Sequence, residues 1–120
     1  VKRIYGVLNA TTNYILTLMY EYNETFENAL LRAQREGIAE ADPSLDIDGL
    51  DIAAKLSILA CTLNYNLKIN NVIRESLRSI SLEEVINKKK EGKIPKYVAK
   101  LEINHGKAEA SVRASPRTER

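Results

Sequence analysis

Gly37-Ile-Ala-Glu-Ala-Asp-Pro-Ser-Leu-Asp-Ile-Asp-Gly-Leu-Asp-Ile-Ala-Ala-Lys55 packs five carboxylates, Glu40, Asp42, Asp46, Asp48 and Asp51, into twelve residues and follows them with one lysine. Pro43 stiffens the middle of the run and biases Asp42 toward extended backbone, which predicts a bent, non-helical display of acids. That display feeds a helix, Leu50 to Leu63, whose only charges are Asp51 and Lys55, four residues apart on one face. Ile52, Leu56, Leu59 and Leu63 form an apolar stripe, and Ala53, Ala54, Ile58 and Ala60 leave little of the other side polar. A helix so apolar is expected to lie inside. Its two charges then sit near the interior, where desolvation makes an unmatched charge costly and perturbs titration. Partly buried charges along a cleft are the usual condition of catalytic groups. A plainer reading stands beside this one. Asp48 with Asp51 reads as an N-cap and its reciprocal carboxylate, with Gly49 in the first turn, and Asp51–Lys55 reads as an ordinary helix pair.

Upstream, Val1 to Leu8 is short and β-branched and predicts a strand buried on both faces. Asn9 or Thr11 caps a helix to about Tyr22, with Tyr14, Ile15, Leu18, Met19 and Tyr22 at helical spacing. The N–H groups at its start are suited to an anion such as a carboxylate. Thr25 caps a second helix, Phe26 to Glu36, which Gly37 ends in the position that favours a left-handed residue.

Downstream, asparagines 64, 66, 70 and 71 mark a loop, and Val72 to Ile80 is compatible with a short strand or a helical turn. Ser81-Leu-Glu-Glu84 is a capping box that opens a helix closing at Gly92, with Lys88, Lys89 and Lys90 suiting its C-terminal dipole. Tyr97, Ala99, Leu101 and Ile103, then Ala108, Ala110 and Val112, alternate with polar neighbours across His105-Gly106, which predicts a hairpin. His105, the single histidine, reads as a turn residue. From Ala114 a polar tail is expected to fray. The fold class expected is α+β, a small mixed β-sheet with helices packed on one face, formed by residues 1–113 with residues 114–120 as the tail.

With 120 residues and 44% hydrophobic composition the chain is one domain with a core. A net charge of +2, with no aromatics among the lysines of residues 88–90, argues against nucleic acid as a partner. No apolar run is long enough for a transmembrane helix. Cys61 alone fits a reducing cytoplasm and is expected as a small core residue. No signal peptide is expected at the start, Val1-Lys2-Arg3, and a first residue other than Met suggests a piece of a longer protein.

Three blocks carry a resemblance. Asn9-Ala-Thr-Thr-Asn-Tyr-Ile-Leu16, the run Gly37 to Asp46, and Asp48-Gly-Leu-Asp-Ile-Ala-Ala-Lys-Leu56, in this order, resemble the substrate domain of homoserine dehydrogenases. The likeness is close from Ile4 to Ala60 and general afterwards. Ala10 replaces a glycine usual in the first block, and Ile38 stands where an aromatic is common. The resemblance implies an oxidoreductase of threonine, methionine and isoleucine biosynthesis that interconverts L-aspartate 4-semialdehyde and L-homoserine with NAD(P). It implies that Lys55 donates the proton and that Asp51 joins it as a catalytic group while also binding substrate. Glu40 binds substrate, and Asp46 orients Lys55 or the substrate amine; Asp42 and Asp48 are left structural. Gly37 would lie with its backbone beside the cofactor. The five glycines, at 6, 37, 49, 92 and 106, cannot make the Gly-rich turn of a dinucleotide-binding unit. NAD(P) is therefore expected to be held mainly by a domain absent from this chain.

A homodimer is expected, because a hairpin with one apolar face and a free edge seldom stays exposed. A non-catalytic dimerisation module of the same fold is the alternative. A divalent-cation site in the acidic run ranks lower, since its spacing departs from the twelve-residue calcium loop, and no metal is expected.

Overall fold

Period-two alternation makes the C-terminal hairpin the frame on which the helices are laid. The computed structural model describes residues 2–117. In chain order these form β1 (Lys2–Gly6), α1 (Ala10–Tyr22), α2 (Phe26–Arg35), the single turn α3 (Ser44–Ile47), α4 (Leu50–Thr62), β2 (Ile73–Arg74), α5 (Leu82–Lys90), β3 (Ile94–Asn104) and β4 (Lys107–Arg117). His105 and Gly106 take φ of 53° and 77°, the two left-handed residues of a tight hairpin turn whose twist suits the strands it joins. Across the hairpin Ala99 pairs with Val112 and Leu101 with Ala110. These four and Tyr97 are buried under α1, α4 and α5, and α2 lies on α1. The sheet order is β1-β3-β4-β2, antiparallel except for the parallel β2–β4 pair. The fold is α+β, with a small mixed sheet and helices on one face.

Local capping works much as the sequence predicts at three helices. Asn9, Thr25 and Ser81 each accept a hydrogen bond from a first-turn N–H, those of Thr12, Asn28 and Glu84. The stretch between Val72 and Ile80 holds both candidate forms, the two-residue strand β2 and a 3₁₀ turn at Leu77–Ser79 that buries Leu77.

Five expectations are corrected. β1 is not buried on both faces but is the outermost strand, with Ile4 41% and Tyr5 50% exposed; it has only β3 beside it. The acidic run is not free of helix. Asp42 Oδ1 accepts from the Ser44 N–H at 3.2 Å and its hydroxyl at 2.6 Å, and the turn this opens is pinned by fully buried Ile47. Asp48 does not cap α4 but closes α3, where its Oδ1 accepts from Ser76 Oγ at 2.6 Å and Arg78 Nε at 3.2 Å. Gly49, at φ 81°, takes the N-cap position of α4 without a side-chain bond. α4 buries Ile52, Ala53, Leu56 and Ala60, yet Cys61 is exposed and Ile58 is 67% exposed, because the sheet covers one face of an all-round apolar helix.

The fifth concerns the end of the chain. β4 continues past Ala114, which pairs with Tyr97, to Arg117 opposite Ile94. Val1 and residues 118–120 of the expected strand and tail lie outside the described residues. The apolar face of the hairpin is covered by the chain's own helices, so it gives no reason for a dimer. What stays open is the outer side of β1 and most of β4, which β2 meets only at Ser111 and Val112.

Candidate active site

The site forms where β1 passes into α1. Asn9 is buried and extended, at φ −138° and ψ 122°, which turns its side chain back over the first turn of α1. Its Oδ1 accepts from the Thr12 N–H at 2.9 Å. Its Nδ2 donates to Asp46 Oδ1 at 2.7 Å and to Asp51 Oδ2 at 3.1 Å. Asp46 comes from α3 and Asp51 from the first turn of α4. One turn further along α4, Lys55 Nζ lies 2.8 Å from Asp51 Oδ2 and donates to the Leu8 carbonyl at 2.6 Å. The β1–α1 junction and the α3–α4 stretch, 37 to 47 residues apart, thus bring two carboxylates, one ammonium and one amide to a single place.

The hydrogen bond from Lys55 is the main cause holding the Asp51 carboxyl below its ordinary value; the Asn9 amide and the Lys55 charge assist, against the opposing effect of burial. Asp51 is an anion at neutral pH. The Asp51 and Lys55 side chains are 37% and 47% exposed, so the pair is open to a ligand from solution.

The other acids of the run disperse. Asp42 serves the start of α3, and the Ser44 hydroxyl and N–H hold its carboxyl below the usual range. Asp48 faces Ser76 and Arg78. Glu40 is exposed, its backbone carbonyl held by Gln34 Nε2 at 2.9 Å, and its carboxylate stays outside the hydrogen bonds of the cluster. No three His, Cys, Asp or Glu side chains converge as a metal cage among the described residues. The anion-receiving start of α1 already has the Thr12 N–H engaged by Asn9. Asn9 was legible as a cap but not as a partner of the acids, and the Leu8 carbonyl leaves no trace in a sequence.

The homoserine dehydrogenase family model matches residues 1–119. The chain belongs to the homoserine dehydrogenase family. It is 41% identical over 108 residues to the homoserine dehydrogenase of Synechocystis sp., a match covering 88% of this chain and 25% of that protein. The homoserine dehydrogenase of S. aureus at pH 7.5 has the same fold with TM-score 0.93 and 35% identity, over 97% of this chain and 29% of its own. A hyperthermophilic archaeal homoserine dehydrogenase in complex with NADPH matches with TM-score 0.72 and 32% identity, over 99% of this chain and 32% of its own. The chain spans only 25% to 32% of these relatives.

The blocks that resemble homoserine dehydrogenases are the ones that meet in space. The first supplies Asn9, the second Asp46, and the third Asp51 and Lys55. Gly37, expected to lie beside a nicotinamide cofactor, has an open backbone, a feature it shares with Gly92 and Gly106. Its φ is 75° and a Cβ placed on it would meet nothing within 4 Å, so its backbone is open to close approach. The Thr11 hydroxyl donates to the Ile38 carbonyl at 3.3 Å and ties that loop to α1 beside Asn9.

Proposed function

We propose that this chain is the substrate-binding catalytic part of a homoserine dehydrogenase, acting in the interconversion of L-aspartate 4-semialdehyde and L-homoserine. The observation that carries the reading is the pairing of Lys55 with Asp51, and the sharing of Asn9 Nδ2 by Asp51 and Asp46, at one solvent-open place. The substrate brings an ammonium, a carboxylate and a reacting oxygen. NAD(P) supplies or takes up the hydride when bound, and Gly37 is the residue of this chain that would lie against it. What remains for the chain is to orient the substrate and to manage one proton.

Asp46 and Asp51 present negative charge to the substrate ammonium, and exposed Glu40 extends it outward. Lys55 carries the only ammonium in the cluster's hydrogen bonds. Of its three N–H donors, two are engaged by Asp51 and Leu8 and one remains for the reacting oxygen. Lys55 gives its proton to that oxygen as negative charge develops in the reduction of the semialdehyde. Asp51 holds the lysine in place. The assembly we propose is a homodimer, supported by exposed Tyr5, Val7 and Ile73 beside the open sheet edges.

The test is Lys55→Ala in the full-length enzyme. The chemical rate is expected to fall by a factor of about 10² to 10⁴, the usual worth of a positioned acid or base, while KM changes much less. Glu40→Gln is expected to raise KM for homoserine instead. If the chain is only a dimerisation module, Lys55 is half of a helix pair worth about 0.2–0.5 kcal/mol. A normal rate with a slightly lowered Tm would end the catalytic reading.

A further inference from the structure

We propose that Asn9 is a positioning residue for this reaction, its buried side-chain amide fixing Asp46 and Asp51 on one nitrogen so that Lys55 is left to face the reacting oxygen. The inference rests on the functional reading above and adds to it a residue that neither binds substrate nor exchanges a proton.

The orientation of the amide is not free. Oδ1 caps α1 by accepting from the Thr12 N–H at 2.9 Å, and the residue is buried. Turning the amide over would set its NH₂ against that N–H and its oxygen against two carboxylates. With Oδ1 committed to the cap, Nδ2 must point to the acids. An amide nitrogen carries two N–H groups, and here each has one acceptor, Asp46 Oδ1 at 2.7 Å and Asp51 Oδ2 at 3.1 Å. The capping geometry of one helix is thereby converted into the spacing of two carboxylates on two others.

The charged groups around the amide are few. α3 contributes Asp46 and α4 contributes Asp51 and Lys55, while the first turn of α1 carries no acid. The loop after α2 adds Glu40, exposed and outside these hydrogen bonds. Like charges at close range raise one another's proton affinity. A neutral donor shared between Asp46 and Asp51 offsets that repulsion, and its hydrogen bond is one of the causes that hold the Asp51 carboxyl low. The preceding residue acts on the same pair from its main chain, since the Leu8 carbonyl accepts from Lys55 Nζ at 2.6 Å. The β1–α1 junction thus grips both members of the Asp51–Lys55 pair.

Other residue types divide these roles. Serine is an equally good N-cap but has no second donor group for the acids. Aspartate keeps the cap and the shape of asparagine but sets a third carboxylate against the two.

The experiment compares Asn9→Ser and Asn9→Asp in the full-length enzyme, with Lys55→Ala and Asp51→Asn measured alongside. For Asn9→Ser the expected result is a kcat lowered about 10- to 100-fold with Tm nearly unchanged. The acid limb of the kcat/KM pH profile should move upward, as the Asp51 carboxyl loses the Asn9 hydrogen bond that helps hold it low. Asn9→Asp is expected to move the limb further while still capping α1, and it tests the proposal even if the serine variant folds poorly. If both variants keep the wild-type rate and pH profile, or lower Tm alone, Asn9 is only a helix cap and the proposal is overturned. If Lys55→Ala and Asp51→Asn also keep the wild-type rate, the catalytic reading itself fails. Loss of rate in those two with none in the Asn9 variants removes this proposal and leaves that reading standing.

Discussion

Replacing Gly49 by alanine tests how α4, and with it Asp51 and Lys55, is set on the sheet. Two costs add. At φ 81° a non-glycine residue sits in the left-handed region at a penalty of about 1–2 kcal/mol. The new Cβ would also lie 2.7 Å from the Tyr97 hydroxyl oxygen, with Val112 side-chain atoms at 3.5 and 3.6 Å behind it. Tyr97 is fully buried and donates to the Glu75 carbonyl at 2.5 Å. Burial, more than the nearby charges of Asp48 and Glu75, pushes that hydroxyl up to about 12, so it remains a donor across the working pH range. To make room it must leave its acceptor, and a buried polar group without its partner costs about 1–3 kcal/mol. The expected loss for Gly49→Ala is therefore about 2–5 kcal/mol. Gly92→Ala is the control, since φ is 76° there but an added Cβ meets nothing within 4 Å. Only the backbone penalty of about 1–2 kcal/mol should appear. Urea denaturation midpoints, with slopes checked for constancy, measure both. Tyr97→Phe in the Gly49→Ala background should be far milder than in the wild type, a coupling that a double-mutant cycle reads directly. Equal losses at the two glycines, or no coupling with Tyr97, would refute the close-approach argument.

The Asp51 carboxyl, held down by Lys55 and Asn9, should titrate below its ordinary value of 3.8 when followed by carboxyl ¹³C shifts. A lowered native pKa means the stabilisation is complete above the unfolded value and is lost as pH falls through the folded one; Lys55→Ala should bring the midpoint back up. The 120-residue chain alone should turn over no homoserine with either nicotinamide cofactor, because its five glycines form no Gly-rich turn; measurable turnover would contradict a divided site. Sedimentation at micromolar concentration should show a dimer that Tyr5→Glu weakens, since Tyr5 is 50% exposed on the outer strand; a monomer in both would contradict the dimer.

The elements that local chemistry defines could be read directly. Ser81 before Glu84, Thr25 before Phe26 and His105-Gly106 between alternating runs each name their structure within a few residues. The site was legible in outline because Asp51 and Lys55 share a helix face and Asp46 lies just ahead. What escaped depends on distant partners. Asp48 has the sequence of a helix cap, but Ser76 and Arg78, 28 and 30 residues away, claim its carboxylate. β1 has the composition of an inner strand, and only the sheet order makes it an edge. Cys61 and Ile58 are apolar by type and exposed by position, since periodicity around α4 does not say which side the sheet takes.

The register of β1 has a consequence for the order in which the molecule comes together. Lys2 pairs with Ile103 and Gly6 with Ala99, so the first strand waits for a partner about a hundred residues later. At synthesis rates of about 5–20 residues per second, that partner follows the first strand by roughly 5–20 s. The helices between can form meanwhile from local contacts, but the loop that closes β1 onto β3 is the longest in the fold and the most costly in entropy. Leu8 and Asn9 hang from that strand. The grip on Lys55 and Asp51 is therefore among the last features to be completed, and a nascent chain stopped before β3 should carry its acids unclasped. Pulse-labelled amide exchange during refolding would show it as late protection of β1 relative to α4; protection gained together would contradict this order.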